Sequence, residues 1–311
     1  MNKDIIFLNP VCTHNIWGGT RLNREFGYPI EGDDIGECWG ISAHPSGDGT
    51  VRNGAFQGMK LSELWEKHPE LFGDTGMDRF PLLVKIIDAK DDLSIQVHPD
   101  DAYAKAHENG SLGKTECWFI LDCKENATLV VGHNAKSREE LEQMIQEGKW
   151  KEFIREIPIK PGDFIQIDPG TVHAIKGGTL LLETQQSSDI TYRVYDYDRL
   201  SNGKPRQLHI TQSIDVITVP AKSAENSVVH TEKKDDAIQQ LICCPYYTVY
   251  RIDVEHRVET WQDKPFVLMS VVEGEGTLNG TPLKKGDHLI LPDGYGKVEL
   301  QGRMQIIAST I

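Results

Sequence analysis

Basic residues are in short supply. The 311-residue chain has 33 Lys and Arg against 47 Asp and Glu, a formal net charge of −14. That balance argues against broad nucleic-acid binding, which needs clustered cations to neutralise phosphates. It argues equally against an anionic membrane surface as partner. No stretch approaches the 18 consecutive apolar residues of a transmembrane helix. Residues 1–8 carry neither a long apolar core nor a small-residue cleavage site, so no signal peptide is expected and the expected location is cytoplasmic. Cysteine is sparse and unpatterned: Cys12, Cys38, Cys117, Cys123, Cys243 and Cys244 contain no Cys-x-x-Cys pair. Reduced, buried thiols are expected, and a cysteine-based zinc site is not. No solenoid repeat or low-complexity tract occurs.

Helical signals are few. Residues 60–72, 101–109 and 209–217 read as short helices, and 137–156 as the clearest one. It opens with Ser137 and Glu140 at capping-box spacing and is lined by Leu141, Met144, Ile145, Phe153 and Ile154. Most of the rest reads as short strands between turn residues: 81–87, 94–98, 116–121, 128–131, 164–167, 179–184 and 191–195. Such a pattern suggests a mainly β sandwich or barrel. The polar stretch 221–236 reads as a linker or an exposed strand edge.

The two parts of the chain share a pattern. Lys160-Pro-Gly-Asp-Phe-Ile-Gln-Ile-Asp-Pro-Gly-Thr-Val-His173 runs as Gly-Asp, apolar strand, Pro-Gly, then His. Lys284-Lys-Gly-Asp-His-Leu-Ile-Leu-Pro-Asp-Gly-Tyr-Gly-Lys297 repeats it with Lys in place of His, downstream of a hairpin over 267–275 that turns at Gly276. This is the second half of the cupin signature. Two cupin (jelly-roll) barrels are expected: 1–236, with added helices and the metal site, and 237–311, without one.

Strand alternation locates the chemistry. In Asp92-Leu-Ser-Ile-Gln-Val-His-Pro-Asp-Asp101, Leu93, Ile95 and Val97 fall on one face and Ser94, Gln96 and His98 on the other. Either a solvated strand face or a pair of metal ligands, Gln96 and His98, explains those polar residues. In the next strand Lys114, Glu116 and Trp118 share a face, and a carboxylate in an apolar strand is costly unless paired or bound to metal. With His173 these residues make an N2O2 set suited to Zn²⁺ or another first-row metal. Glu183, in a hydrophobic strand, and Arg193, on one face with Thr191 and Tyr195, are either an ion pair supporting the sheet or contacts for a polyhydroxy or phosphorylated substrate.

These segments resemble the type I mannose-6-phosphate isomerases (phosphomannose isomerases), in particular their short bacterial branch. The resemblance spans nearly the whole chain. It is carried by Asn15-Ile-Trp-Gly-Gly19, Ile35-Gly-Glu-Cys-Trp-Gly-Ile-Ser-Ala-His-Pro45, Phe80-Pro-Leu-Leu-Val-Lys85, Leu93-Ser-Ile-Gln-Val-His-Pro-Asp-Asp101, Gly113-Lys-Thr-Glu116 and Pro169-Gly-Thr-Val-His-Ala174. It implies a zinc enzyme of carbohydrate metabolism that interconverts mannose 6-phosphate and fructose 6-phosphate through a cis-enediol. Gln96, His98, Glu116 and His173 would be the ligands of one Zn²⁺ per chain, and Arg193 the group stabilising the enediolate. Lys114 and Glu183 would line the pocket with Trp17, Glu37, Lys85 and Ser94, and Ser94 and Arg199 would fall where phosphate is contacted. The longer members read Glu-x-Met-Ala-x-Ser-Asp-Asn and Pro-Lys where this chain reads Glu183-Thr-Gln-Gln-Ser-Ser-Asp-Ile190 and Asp198-Arg199. Glu183 or Lys114 is the expected proton carrier, with Glu37 or a zinc-bound water as further choices. A metal-dependent cupin dioxygenase and a non-catalytic sugar-phosphate-binding cupin are the alternatives.

Overall fold

The computed structural model describes residues 4–201, 203–224 and 227–311. Strands hold 45% of the chain and helices 16%, so the mainly β expectation is met. Three large sheets and a set of short helices stack in layers, and a fourth sheet has two strands only.

The middle layer is a seven-stranded sheet in the order Val228–His230, Asp163–Ile167, Glu116–Cys123, Thr179–Gln186, Leu82–Ala89, Val11–Gly19, Ile35–Ile41. Its central strands are buried on both faces, and alternation sorts their side chains. Leu82, Val84, Ile86, Phe119, Leu180 and Leu182 pack to one side, against the C-terminal sheet. Ile87, Ala89, Trp118, Ile120 and Leu181 pack to the other. There a five-stranded sheet lies over them, in the order Tyr192–Tyr195, Ile95–Val97, His173–Ala174, Thr128–His133, Ile154–Pro158. Its outer face carries Ile95, Val97, Val130, Ala174 and Val194 against the helices Arg138–Gln146, Trp150–Phe153 and Ile210–Val216.

The C-terminal sheet has nine strands, and its path ends on two strands from the N-terminus, Ile6–Asn9 and Thr50–Val51. Ile6–Asn9 pairs with His288–Pro292. The first residues of the chain are therefore stitched to its last hundred. An aromatic cluster seals the contact between the sheets: Phe266 lies 5.6 Å from Phe80, 5.7 Å from Phe72 and 6.1 Å from Trp65, centroid to centroid.

Several expectations need correction. The helix expected over 137–156 is two helices and a strand. Ser137 caps Arg138–Gln146 as the capping-box spacing suggested, but Gly148 takes a left-handed φ of 64° and breaks the run. Ile154–Pro158 is then pulled into the sheet beside Thr128–His133. The hairpin turn expected at Gly276 falls at Asn279-Gly280, both with positive φ, the residue pair such turns favour. Cys12 and Cys38 are not free thiols: they face each other across Val11–Gly19 and Ile35–Ile41 and are joined by a disulfide. Cys243 is exposed rather than buried. Within 221–236, Val228–His230 forms a strand at the sheet edge, in keeping with the edge reading; Glu225 and Asn226 lie outside the described residues. No described helix is long and apolar enough to cross a membrane.

A buried histidine sits where the C-terminal sheet meets the seven-stranded one. His288, inaccessible to solvent, bonds Tyr28 Oη through Nε2 at 2.7 Å and Ser270 Oγ through Nδ1 at 2.8 Å. Its ring lies against Gly40, where a Cβ would come within 2.2 Å of it. Burial, reinforced by the Arg52 charge and only partly opposed by Asp287, lowers its pKa from 6.5 to about 4. The folded protein therefore keeps His288 neutral while the unfolded chain protonates it as pH falls below 6.5. Stability is retained above that value and drains away towards pH 4, by about 3 kcal/mol in all for this one group. Denaturant titrations across pH 4–7 are expected to show a steeper loss for the wild type than for His288→Gln, and equal slopes would refute the assignment.

Candidate metal centre

Two cross-strand rows face each other between the seven- and five-stranded sheets. On the first, register places Trp39 beside Lys85, Lys85 beside Glu183, and Glu183 beside Trp118, with Glu116 two residues before Trp118 on the same face. On the second, His173 pairs with Gln96, and Gln96 with Arg193. Gln96 lies between the outward-facing Ile95 and Val97, and Lys85 between Val84 and Ile86, which pack to the other side of their sheet. The polar groups have only the inter-sheet space to occupy.

His98, Glu116 and His173 converge there, all buried, with one donor atom of each within 4.8 Å of the others. The two imidazole Nε2 atoms are 3.1 Å apart, and the Glu116 carboxylate lies 3.4 Å from His98 and 3.3 Å from His173. His173 Nδ1 is 2.9 Å from the Thr171 carbonyl, which fixes the proton on that nitrogen and leaves Nε2 as a lone pair. Burial, then the Lys114 charge, lowers His98 to about 3, and burial also lowers His173. Two neutral imidazoles thus direct nitrogens at one point beside a carboxylate. Glu116 Oε1 is buried and accepts no hydrogen bond. This donor set fits a divalent cation. Gln96 stands beside it, Nε2 at 3.2 Å from His173 Nε2 and Oε1 accepting from Ser94 Oγ at 3.3 Å. Half a turn of the amide brings an oxygen to the same place.

Opposite charges alternate outward from the cluster. The Lys114 ammonium contacts Glu116 and donates to His98 Nε2 at 3.1 Å. It lies 3.5 Å from Glu183, which lies 3.1 Å from Lys85, which lies 3.6 Å from Glu37. Burial works to raise the Glu116 pKa, but the Lys114 charge outweighs it and holds the group ionised. Burial likewise opposes the charge on Lys85, yet Glu183, Glu37 and Glu116 keep its pKa above the ordinary lysine value. Glu183 and Glu37 are fixed by indole donors, Trp118 Nε1 at 2.8 Å and Trp39 Nε1 at 2.7 Å.

A cavity of about 180 Å³ opens over this floor. Among the residues expected at the site, Trp17, Glu37, Lys85, Ser94, Gln96, Lys114, Glu183 and Arg193 line it. Arg199 does not: its guanidinium bonds Asp196 at 2.6 Å and the Asp92 carbonyl at 2.5 Å. Arg206 lines the cavity in its place, alongside Gln185, Ser188 and Asp189, none of which the sequence singled out. Arg206 lies in a turn-rich polar stretch with no strand alternation to mark it.

The sheets, the facing rows and the convergent donor set define a cupin-type protein with a candidate metal centre. The chain matches the family models "Phosphomannose isomerase type I, catalytic domain" over residues 5–120 and "Mannose-6-phosphate isomerase, cupin domain" over 237–311. It is 50% identical to the mannose-6-phosphate isomerase ManA of Bacillus subtilis, over 99% of each chain. It is 48% identical to the mannose-6-phosphate isomerase of Streptococcus mutans, over 98% of this chain and 97% of that one. The crystal structure of the mannose 6-phosphate isomerase from Bacillus subtilis superposes with a TM-score of 0.92 at 48% identity, covering 99% of this chain and all of that one. The chain belongs to the type I phosphomannose isomerase family, the family its motifs resemble.

If the convergent donors are a metal site, purified wild-type protein carries a metal that His98→Ala, Glu116→Gln and His173→Ala each lose. Elemental analysis of the folded variants measures this. Full metal content in all three would show that the ion is held elsewhere.

Proposed function

We propose that the chain interconverts mannose 6-phosphate and fructose 6-phosphate, with one Zn²⁺ held by Gln96, His98, Glu116 and His173. The observation that carries the reading is the convergence of two neutral imidazoles and a buried carboxylate on the floor of a cavity lined by cations. We read the chain as two cupin barrels, 1–236 and 237–311, with Ile6–Asn9 and Thr50–Val51 extending the sheet of the second. The matched segments 5–120 and 237–311 support that division.

The reaction moves one proton between C2 and C1 and leaves the carbon skeleton intact. A base removes the proton from C2, O1 takes up the displaced charge and gains a proton to give a cis-enediol, and the C2 hydroxyl then gives up its proton as C2=O2 forms and the carbon-bound proton returns at C1. The bound cation would supply Lewis-acid polarisation of those oxygens. Arg193 adds a second positive charge from the neighbouring strand, beside Gln96 in register. Glu183 carries the proton. It lines the cavity, Trp118 donates to its Oε2, and its Oε1 turns to the Lys85 and Lys114 ammonium groups at 3.1 and 3.5 Å. Lys114, the other choice, already has its ammonium against Glu116 and His98. Lys85, at 3.1 Å from Glu183, orients the carboxylate. The ligand is a phosphorylated sugar, and attraction for it is local, built from Lys85, Lys114 and Arg193 inside an acidic surface.

A coupled assay tests this directly. Isomerisation of mannose 6-phosphate is expected to stop with a chelator and to return with added zinc. Glu183→Gln should lower kcat by about 10²- to 10⁴-fold while keeping its metal. Arg193→Ala should also keep metal and lose turnover. Oxygen uptake in place of isomerisation would transfer the site to the dioxygenase class, and near-normal turnover in Arg193→Ala would remove that residue from the mechanism.

A further inference from the structure

Two arginines, Arg199 and Arg206, meet one carboxylate at the edge of the cavity, and a third, Arg193, stands near them. Asp196 is 4% exposed. Its Oδ2 accepts from Arg206 Nε at 2.7 Å, and its Oδ1 accepts from Arg206 Nη2 and, at 2.6 Å, from Arg199 Nη2. Arg199 spends its remaining reach on the Asp92 carbonyl and packs over the Tyr197 ring at 5.0 Å. Arg206 uses one edge of its fork on Asp196, leaving Nη1 unspent among the described residues. Arg193 donates from Nη1 to the Gln207 carbonyl at 2.8 Å and keeps a buried Nε without a partner. One carboxylate therefore holds two guanidinium groups with a third nearby, and positive charge is left over. The acidic group in the cavity wall nearby, Asp189, is engaged by Ser46 at 2.8 Å and His44 at 3.6 Å.

The backbone next to Asp196 is unusual in the same direction. Tyr197 and Asp198 both take left-handed φ, 57° and 53°. A bulky residue in that region is disfavoured, and such conformations persist where surrounding contacts over-determine them. The double clamp on Asp196 supplies those contacts.

The candidate metal centre and Arg193 stand at opposite ends of one cross-strand row. His173, Gln96 and Arg193 are neighbours in one cross-strand row, so the row spans two strand spacings, about 10 Å, from metal side to arginine side. Arg206 and Arg193 line the same cavity, and Arg199 does not. With the reacting carbons of a sugar phosphate at the His173 end of the row, the arginine end is where the cavity offers its phosphate a cation.

We propose that Arg206 binds the phosphate of the substrate beside Arg193, that Asp196 is the positioning residue that seats Arg206, and that Arg199 braces Asp196 without touching substrate. This rests on the sugar-phosphate reading above and adds the residue that recognises the phosphate. A planar fork suits the task because it holds Asp196 with one edge and offers the other to phosphate oxygens.

Four variants test it: Arg206→Ala, Arg206→Lys, Asp196→Asn and Lys204→Ala. The last removes the same charge from an exposed position two residues away. Turnover of mannose 6-phosphate, metal content, thermal melting and calorimetric binding of inorganic phosphate are measured on each. Arg206→Ala is expected to raise KM about 10- to 100-fold with much less change in kcat, to keep metal, and to lose phosphate binding. Arg206→Lys should recover part of the KM, because charge remains while the fork is lost. Asp196→Asn should raise KM in the same direction without emptying the metal site. Lys204→Ala should match the wild type. Unchanged KM and phosphate binding in Arg206→Ala would overturn the proposal, and so would an equal loss in Lys204→Ala or a fall in kcat alone. If the wild type shows no isomerisation while Arg206→Ala alone loses phosphate binding, the activity reading falls and the phosphate site stands.

Discussion

Glu116 is a carboxylate with no access to solvent, and the site is arranged around that fact. Burying an ionised carboxylate costs several kcal/mol unless partners restore what water supplied. Lys114 supplies one partner, and the two imidazoles stand ready for a cation that supplies the rest. Lys114 is itself buried and sits near Glu183; Glu183 brings Lys85, and Lys85 brings Glu37 nearer the surface. Each charge is tolerated because the next one opposes it. Deleting any inner member would leave its neighbour unpaired in a low-dielectric setting.

Strands make such a chain of charges possible. A β-row fixes side chains at regular spacing on one face, so Trp39, Lys85, Glu183 and Trp118 are aligned without loops to hold them. The opposing row of His173, Gln96 and Arg193 is fixed in the same way. The apolar alternates of both rows pack outward, against the C-terminal sheet on one side and the helices on the other. The arginine end is built differently. It relies on a turn with two left-handed residues clamped through Asp196, a local device within the loops rather than a product of register. The strand-borne charges and the loop-borne Arg206 line one cavity.

Legibility followed periodicity. Where a strand alternates cleanly, as at 94–98 and 114–118, the faces assigned from sequence are the faces found, and Gln96, His98 and Glu116 come together with His173 as the pattern suggested. Where the same apolar spacing serves two structures, sequence misleads. Phe153 and Ile154 extend a helical stripe, yet Gly148 ends the helix and the vacant edge beside Thr128–His133 takes Ile154–Pro158 as a strand. Arg199 and Arg206 differ in nothing that a local pattern records. Only the path of the chain between them turns one towards Asp92 and the other into the cavity wall.

The sequence by itself determined the mainly β class, the family, the donor types and the side of each strand on which they stand, because alternation and motif spacing are properties of neighbouring residues. Tertiary structure decided what depends on residues far apart in the chain. It set the alternating charges that make Glu116 tolerable and the pairing of Cys12 with Cys38. It placed Ile6–Asn9 in the C-terminal sheet, and it decided which arginine reaches the cavity. Those outcomes are set by which strands become neighbours, a choice made by the burial of whole faces rather than by any short segment.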